Sequence, residues 1–387
     1  MKHRLVILTE IISPYRIPLF NALAQREDVD PHVIFLAETD PQLRGWNVYK
    51  EEIRFSYQVL PSWRRRIGRY NLLLNSGISR ALRRKAPDSV LCGGYNYLAS
   101  WEALLWAKLH KIPFFLWSES NLQDIRGGRA VVELLKGEFL RRCSGFVVPG
   151  RSAAEYFSSR SIKAEAIFTA PNAVDNTLFA DAAAAVRKNA ASCRTALSLP
   201  HRYFLFVGRL VREKGVFELL SAYATLDPRT RLQIGLVFAG DGVSRRRLEE
   251  KAASISPGMI RFTGFVQREQ IASLYALAEM LILPTYTDPW GLVVNEAMAC
   301  GLPVILSQAA GCGADLVTEG WNGRIVSPRD VKSLASAMRE IASSPDLSVA
   351  MGVNSAKRIA AYSPREWAKG IGCLTESVGA KSGQARN

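Results

Sequence analysis

The chain has 387 residues, 48% of them hydrophobic, with eight Trp and a formal charge of +15. That length exceeds what one ordinary core supports and predicts two domains, and the apolar content excludes a disordered chain. Six scattered Cys without a C-x-x-C pair and four scattered His exclude a zinc-type site. No apolar run reaches the ~20 residues a membrane-spanning helix needs, and the apolar run in MKHRLVILTE is too short for a secretory signal. The expected setting is cytoplasmic, with buried free thiols and no metal or other cofactor.

In chain order, the first half alternates apolar strands with helical patterns. Strands are predicted at Leu5–Leu8, Val33–Leu36, Ile53–Val59, Val90–Cys92, Phe114–Trp117, Phe146–Val148 and Ala166–Thr169. Helices fall at Ile17–Gln25, Leu72–Lys85, Ser100–His110 and Val131–Arg142. Strands alternating with helices imply a parallel sheet with right-handed crossovers. Within this half, Ile53–Pro87 holds no acid but nine bases: Arg54, Arg64, Arg65, Arg66, Arg69, Arg80, Arg83, Arg84 and Lys85. Arg64–Arg66 read as a loop, and Arg80, Arg83 and Arg84 share one face of a helix. Such a patch suits an anionic bilayer, an acidic acceptor or nucleic acid. The aromatics Phe55, Tyr57, Trp63 and Tyr70 do not interleave with the helical bases, which argues against nucleic acid.

The Ala-rich, strand-free stretch at 181–200 reads as a linker between a first domain over 1–180 and a second over 201–364. The second half repeats the alternation. Strands are predicted at Tyr203–Val207, Ile234–Ala239, Ile260–Thr263, Leu281–Leu283, Val304–Leu306, near Asp315 and at Arg324–Val326. Helices lie at Val216–Thr225, Ser244–Ser254, Gln267–Ala278, Leu292–Cys300 and Val331–Ser343. A closing helix is expected over 365–378 and a frayed tail over 379–387.

Three strand ends of the second half carry chemistry. After Tyr203–Val207, Gly208 permits a tight turn, and Arg209 and Lys214 flank it. A guanidinium fork and an ammonium there suit a diphosphate, whose growing charge as a leaving group they would stabilise. Ala239-Gly240-Asp241-Gly242 is a second glycine turn. After Leu281-Ile282-Leu283, a polar loop with Asp288 leads through Gly291 into an apolar helix bearing Glu296. Carboxylates beside the free N–H groups of a helix start suit a polyhydroxylated, anionic ligand such as a nucleotide sugar.

The segment Asp288-x7-Glu296, with Trp290-Gly291-Leu292 and Glu296-Ala297-Met298-Ala299-Cys300-Gly301-Leu302-Pro303-Val304-Ile305, resembles the E-x7-E region of retaining glycosyltransferase family 4. Asp288 stands where Glu is commoner. Gly208-Arg209-Leu210 with Lys214-Gly215 matches the same family's diphosphate motif. The resemblance implies a GT-B architecture: two facing Rossmann-like α/β domains with parallel sheets, and C-terminal helices crossing back to the first. It implies a UDP- or GDP-sugar donor held by Gly208, Arg209, Lys214, Gly240, Val266, Asp288, Trp290, Gly291, Leu292 and Glu296. Glu296 would hold the ribose diol, and the segment with Val266 would meet the base. It also implies transfer with retention and without metal to a hydroxyl acceptor, and the basic patch suggests a lipid-linked or envelope saccharide as that acceptor.

The first domain is less typical of that family. Its first loop lacks the usual glycine pair and resembles instead a subgroup with a Pro14-Tyr15-Arg16 step. The strand end Trp117-Ser118-Glu119 shows no His, leaving Glu119 as a polar or acceptor-positioning group. Gly94 and Tyr95 would border the acceptor. The charge adds an expectation of peripheral attachment to the inner membrane face, with no nucleic acid as partner. Rival readings are another activity of the same fold, such as epimerase or phosphorylase, a glycosidase with paired carboxylates, and a basic nucleic-acid-binding protein.

Overall fold

In the computed structural model, which describes residues 2–40, 45–67, 70–122 and 130–384, the chain forms two compact units. The first runs to Ala173 and takes in the chain from Pro364 on, and the second is Val174–Ser363.

The first unit contains β1 (His3–Thr9), α1 (Ile17–Ala24), β2 (Val29–Phe35), β3 (Ser56–Val59), β4 (Ser62–Ile67), β5 (Tyr70–Asn75) and α2 (Ile78–Lys85). It continues through β6 (Ser89–Cys92), α3 (Leu98–Leu109), β7 (Phe114–Trp117), α4 (Ala130–Arg142), β8 (Gly145–Val148), α5 (Arg151–Ser158) and β9 (Ile167–Thr169). Seven strands form a parallel sheet in the order β3-β2-β1-β6-β7-β8-β9. Both faces of this sheet are covered, so its strands read as continuous apolar runs such as Leu5–Leu8 and Phe114–Trp117.

The second unit begins with α6 (Asn176–Lys188) and α7 (Ala190–Ala196). It continues with β10 (Tyr203–Val207), α8 (Val216–Ala224), α9 (Pro228–Gln233), β11 (Gly235–Ala239), α10 (Arg245–Ala252), β12 (Ile260–Gly264), α11 (Arg268–Leu277) and β13 (Met280–Leu283). Then come α12 (Leu292–Ala299), β14 (Val304–Ser307), α13 (Gly313–Leu316), β15 (Gly323–Val326), α14 (Val331–Ser343) and α15 (Pro345–Ile359). Its six-stranded parallel sheet is ordered β12-β11-β10-β13-β14-β15. In both sheets the order reverses beside the first strand, between β1 and β6 and between β10 and β13, as in Rossmann-like folds. Such reversal points open a crevice at the strands' carboxyl ends.

The last helix, α16 (Pro364–Gln384), belongs to the first unit. Its Trp367 is fully buried, with ring centroids 5.7 Å from Phe20 and 5.3 Å from Trp117. It continues past residue 378, so 379–384 is helical where a frayed tail was expected; 385–387 lie outside the described residues.

Other expectations are corrected. The 181–200 stretch is helical over most of its length, because Asp175 caps α6 through the Leu178 N–H (3.0 Å) and Phe179 and Ala183 bury one face. Leu72–Leu74, read as the start of a helix, belongs to β5, which pairs antiparallel with β4; α2 starts only at Ile78, after Gly77 turns the chain with φ = 88°. Arg64–Arg66, read as a loop, lies in β4. Arg64 is not a free base: it ion-pairs with the buried Asp40 and lies 3.6 Å from Glu10. The acids that neutralise it come from outside the acid-free run. Arg69 and the side chain of Arg66 lie outside the described residues. The predicted strand at Ile53 begins at Ser56, and the one near Asp315 is the short helix α13.

Candidate active site

In the second unit, four neighbouring strand ends carry the residues singled out from sequence. Gly208 directly follows β10 and Gly240 directly follows β11, Val266 lies just past the end of β12, and β13 leads to Asp288. The turns are packed backbone to backbone. A Cβ on Gly240 would lie 1.9 Å from the Gly208 carbonyl oxygen, and one on Gly215, at φ = 69°, would lie 2.0 Å from that of Pro284. Only glycine fits at either position, so the loops after β10, β11 and β13 are locked together. The Tyr286 N–H donates to Glu213 O at 2.8 Å, adding a second tie between the β10 and β13 loops.

That packing brings Lys214 to Asp288 across 74 residues, with Nζ 2.5 Å from Oδ2 and both side chains largely buried. Arg209 is exposed in the same segment, and its side chain makes no hydrogen bond or ion pair among the described residues; its carbonyl accepts from the Val211 N–H at 2.9 Å. Arg212 is exposed as well. The Asp288 loop is fixed from behind by the loop after β14. Gly311 N–H donates to Asp288 O at 2.9 Å, and Cys312 N–H to Trp290 O at 3.1 Å. Trp290 is buried, its indole N–H donating to Asn295 Oδ1 at 2.9 Å. Gly291, at φ = 93°, is the N-cap of α12; the first turn holds no acid and no side chain caps it. The helix start beside Leu292 therefore keeps N–H groups and a partial positive charge for a ligand.

Glu296, one turn into α12, accepts a 2.7 Å hydrogen bond from the phenol of the buried Tyr275. Burial pushes its carboxyl up to about 7, and the Tyr275 hydrogen bond pulls against that rise. Burial, with the Glu296 charge beside it, holds the Tyr275 phenol neutral. Glu296 is therefore poised to change charge near neutral pH.

The sequence reading missed Tyr275, Asn295 and Gly311. Glycine in a loop after a strand was the available signal for Gly311. Tyr275 sits in an apolar helix with nothing local to mark it, beyond the need of a buried phenol for an acceptor.

The first unit has its own cluster at the β1–β6 reversal. Arg16, the residue before α1, donates to Thr9 Oγ1 at 2.5 Å and lies 4.5 Å over the Trp117 ring. Gly93 approaches both Thr9 and Arg16. Arg16 is thus a packed side chain rather than a solvated one. Tyr15 meets Trp46 edge-on at 5.9 Å, and Pro14 is buried beside it in the chain. Glu119, past the end of β7, accepts from the Asn172 amide at 2.8 Å. Tyr95 packs against Phe139, with Lys136 Nζ 5.8 Å from its ring, and Gly94 has φ = 121°.

Among the described residues no group of three or more His, Cys, Asp or Glu is placed to hold a metal ion, and no helix is long and apolar enough to cross a membrane. The six Cys are unpaired, and Cys92, Cys300 and Cys312 are buried.

Residues 194–358 match the Glycosyl transferases group 1 family, so the second unit carries a domain of that group. The chain is 35% identical over 142 residues to a glycogen synthase of Mycobacterium tuberculosis, covering 36% of this chain and 34% of that protein. It is 33% identical over 198 residues to a D-inositol 3-phosphate glycosyltransferase of Corynebacterium urealyticum, covering 48% of this chain and 46% of that protein. The chain thus spans less than half the length of these relatives. Among solved structures, a sucrose-phosphate synthase from Thermosynechococcus elongatus superposes with a TM-score of 0.74 over 98% of this chain and all of that one, at 21% identity. Anabaena HepE in complex with UDP-glucose superposes with a TM-score of 0.73 over 97% and 99%, at 17% identity. The shared feature is the fold: two parallel-sheet, Rossmann-like units of the GT-B type.

Proposed function

We propose that the protein is a retaining glycosyltransferase of family 4 that moves a sugar from a nucleotide-diphosphate sugar to a hydroxyl of a saccharide or lipid-linked acceptor. The supporting observation is the convergence of Lys214, Asp288, Glu296 and the glycine turns at the order reversal of the second sheet, within the matched group 1 domain. The UDP-glucose bound to a structural neighbour adds support for the donor class.

In this reading Arg209 and Lys214 take the diphosphate. An ammonium carries three donors, so Lys214 can keep Asp288 on one and meet phosphate oxygens with the others. The Glu296 carboxylate accepts from the ribose diol, and the segment at Val266 meets the base. Asp288 and the start of α12 face the donor sugar, with Trp290 anchoring the loop from inside. The bond from the anomeric carbon to the phosphate oxygen breaks as the acceptor hydroxyl attacks the same face. The hydroxyl proton passes to the departing phosphate oxygen, so no enzymic nucleophile is needed. Cations already placed at the leaving group stabilise the charge that develops. The first unit takes the acceptor through the Arg16, Gly94, Tyr95 and Glu119 region. The exposed bases of the 53–87 stretch give peripheral attachment to the inner, anionic membrane face.

The test is the anomeric configuration of the product, read by proton NMR, in the presence of EDTA. Retention with activity surviving EDTA agrees with the proposal. Inversion, or a complete loss restored by Mn²⁺ or Mg²⁺, overturns it.

A further inference from the structure

The acid-free stretch 53–87 folds around a cavity of about 310 Å³ at the β3 edge of the first sheet, well away from the β1–β6 reversal in strand order. That volume is at the small end of ligand pockets. Its walls are the chain leaving β3, with Leu60 and Pro61, and the face of α2 bearing Arg80, Ala81 and Arg84. The turn at Ser76 closes one end. Leu60 and Ala81 are buried and give an apolar floor.

The rim is positively charged. No acid lines the cavity. Arg84 Nη2 donates to Gln58 Oε1, a neutral acceptor. The Arg80 guanidinium makes no hydrogen bond or ion pair among the described residues. It sits in the first turn of α2, where the Glu102 carboxylate, outside the cavity lining, accepts from the Ser79 N–H at 3.1 Å and the Ser79 hydroxyl at 2.7 Å. Arg80 and Arg84 are four residues apart, a spacing at which like charges repel. That repulsion becomes attraction to a shared partner once an anion lies between the two guanidinium groups.

We propose that this pocket binds a phosphate ester of a small polyol, with Arg80 and Arg84 on the phosphate oxygens and Ser76 and Gln58 on hydroxyls. The inference is independent of the sugar-transfer reading. Such a group exists both as a free metabolite and as a phospholipid headgroup.

Titration calorimetry at low ionic strength with glycerol 3-phosphate and with inorganic phosphate tests the site. Co-sedimentation with phosphatidylglycerol and with phosphatidylcholine vesicles separates the sources. Saturable glycerol 3-phosphate binding is expected, weakened at least ~10-fold by Arg80→Glu and by Gln58→Glu, but not by Arg246→Glu on the exposed face of α10. Arg80→Glu removes the like-charge neighbour of Arg84, and the melting temperature of each variant is read beside its binding. Gln58→Glu leaves both arginines in place and gives Arg84 an internal partner. If the same variants also release phosphatidylglycerol vesicles, the source is a headgroup; if vesicle binding is unchanged, it is a free ester. The proposal fails if neither probe binds saturably, or if both variants bind as the wild type does. It also fails if binding is lost only in variants that melt early.

Discussion

Donor affinity should depend on pH through Glu296. Its carboxyl is pushed up to about 7 by burial, against the 2.7 Å hydrogen bond from Tyr275. With that value it is roughly 10% ionised at about pH 6 and roughly 90% at about pH 8. If the ribose diol binds only the carboxylate, affinity for the nucleotide sugar should fall about tenfold from the higher pH to the lower. The donor diphosphate does not titrate in that range, so the slope belongs to the protein. Glu296→Gln keeps the shape but loses charge-assisted hydrogen bonds worth ~1.5–3 kcal/mol, weakening binding about 10- to 150-fold and flattening the profile. Tyr275→Phe removes the phenol that favours the carboxylate, so the midpoint should move to higher pH. The donor-free protein gives a check of opposite sign. A carboxyl whose folded value is raised holds its proton longer in the folded state, so this group's contribution to stability falls as pH rises from about 4.5 to about 7. Calorimetric titration across that range, with a donor chosen by thermal-shift screening, reads the slope. A flat wild-type profile, or an unchanged slope in Glu296→Gln, would refute the assignment.

Arg209→Ala and Lys214→Ala should each lower turnover at least ~10²-fold with little change in melting temperature for Arg209→Ala, since Arg209 is exposed and unpaired among the described residues. Near-normal steady-state rates in both would count against the diphosphate role. Gly215→Ala should destabilise the fold by at least ~2 kcal/mol, because its Cβ would lie 2.0 Å from Pro284 O at a positive φ; denaturant titration decides, and a neutral result would mean the β10 and β13 loops are not locked. Flotation with anionic liposomes should weaken with added salt and on replacing Arg65 and Arg83 by Ser. Arg64→Ser should act instead through stability, because that side chain is committed to Asp40. Flotation unaffected by the first pair would remove this surface from membrane attachment.

The strand-to-turn-to-helix steps at Gly208 and Gly291 were legible in the sequence because everything that defines them lies within a dozen residues: an apolar run, a glycine and an apolar helical pattern. The partners that complete the site were not. Lys214 meets Asp288 across 74 residues, and Tyr275 reaches Glu296 from the preceding helix; both depend on the strand order β12-β11-β10-β13. The burial that raises the Glu296 carboxyl is likewise set by tertiary packing. Leu72–Leu74 was read as helix because a three-residue apolar run has no period of its own, and its pairing with Trp63–Arg65 decides for strand. The Ala-rich stretch after residue 180 looked like a linker because Ala marks neither a strand nor a core, yet Ala183 is fully buried on the inner face of α6.

Saturation-transfer NMR of the wild-type protein against a panel of UDP- and GDP-sugars tests the central claim most directly. One nucleotide sugar should receive saturation at its base, ribose and sugar protons, and the signal should be strongly reduced in Arg209→Ala and in Glu296→Gln. If no nucleotide sugar in the panel gains signal, or if both variants match the wild type, the strand ends of the second sheet do not form a donor site.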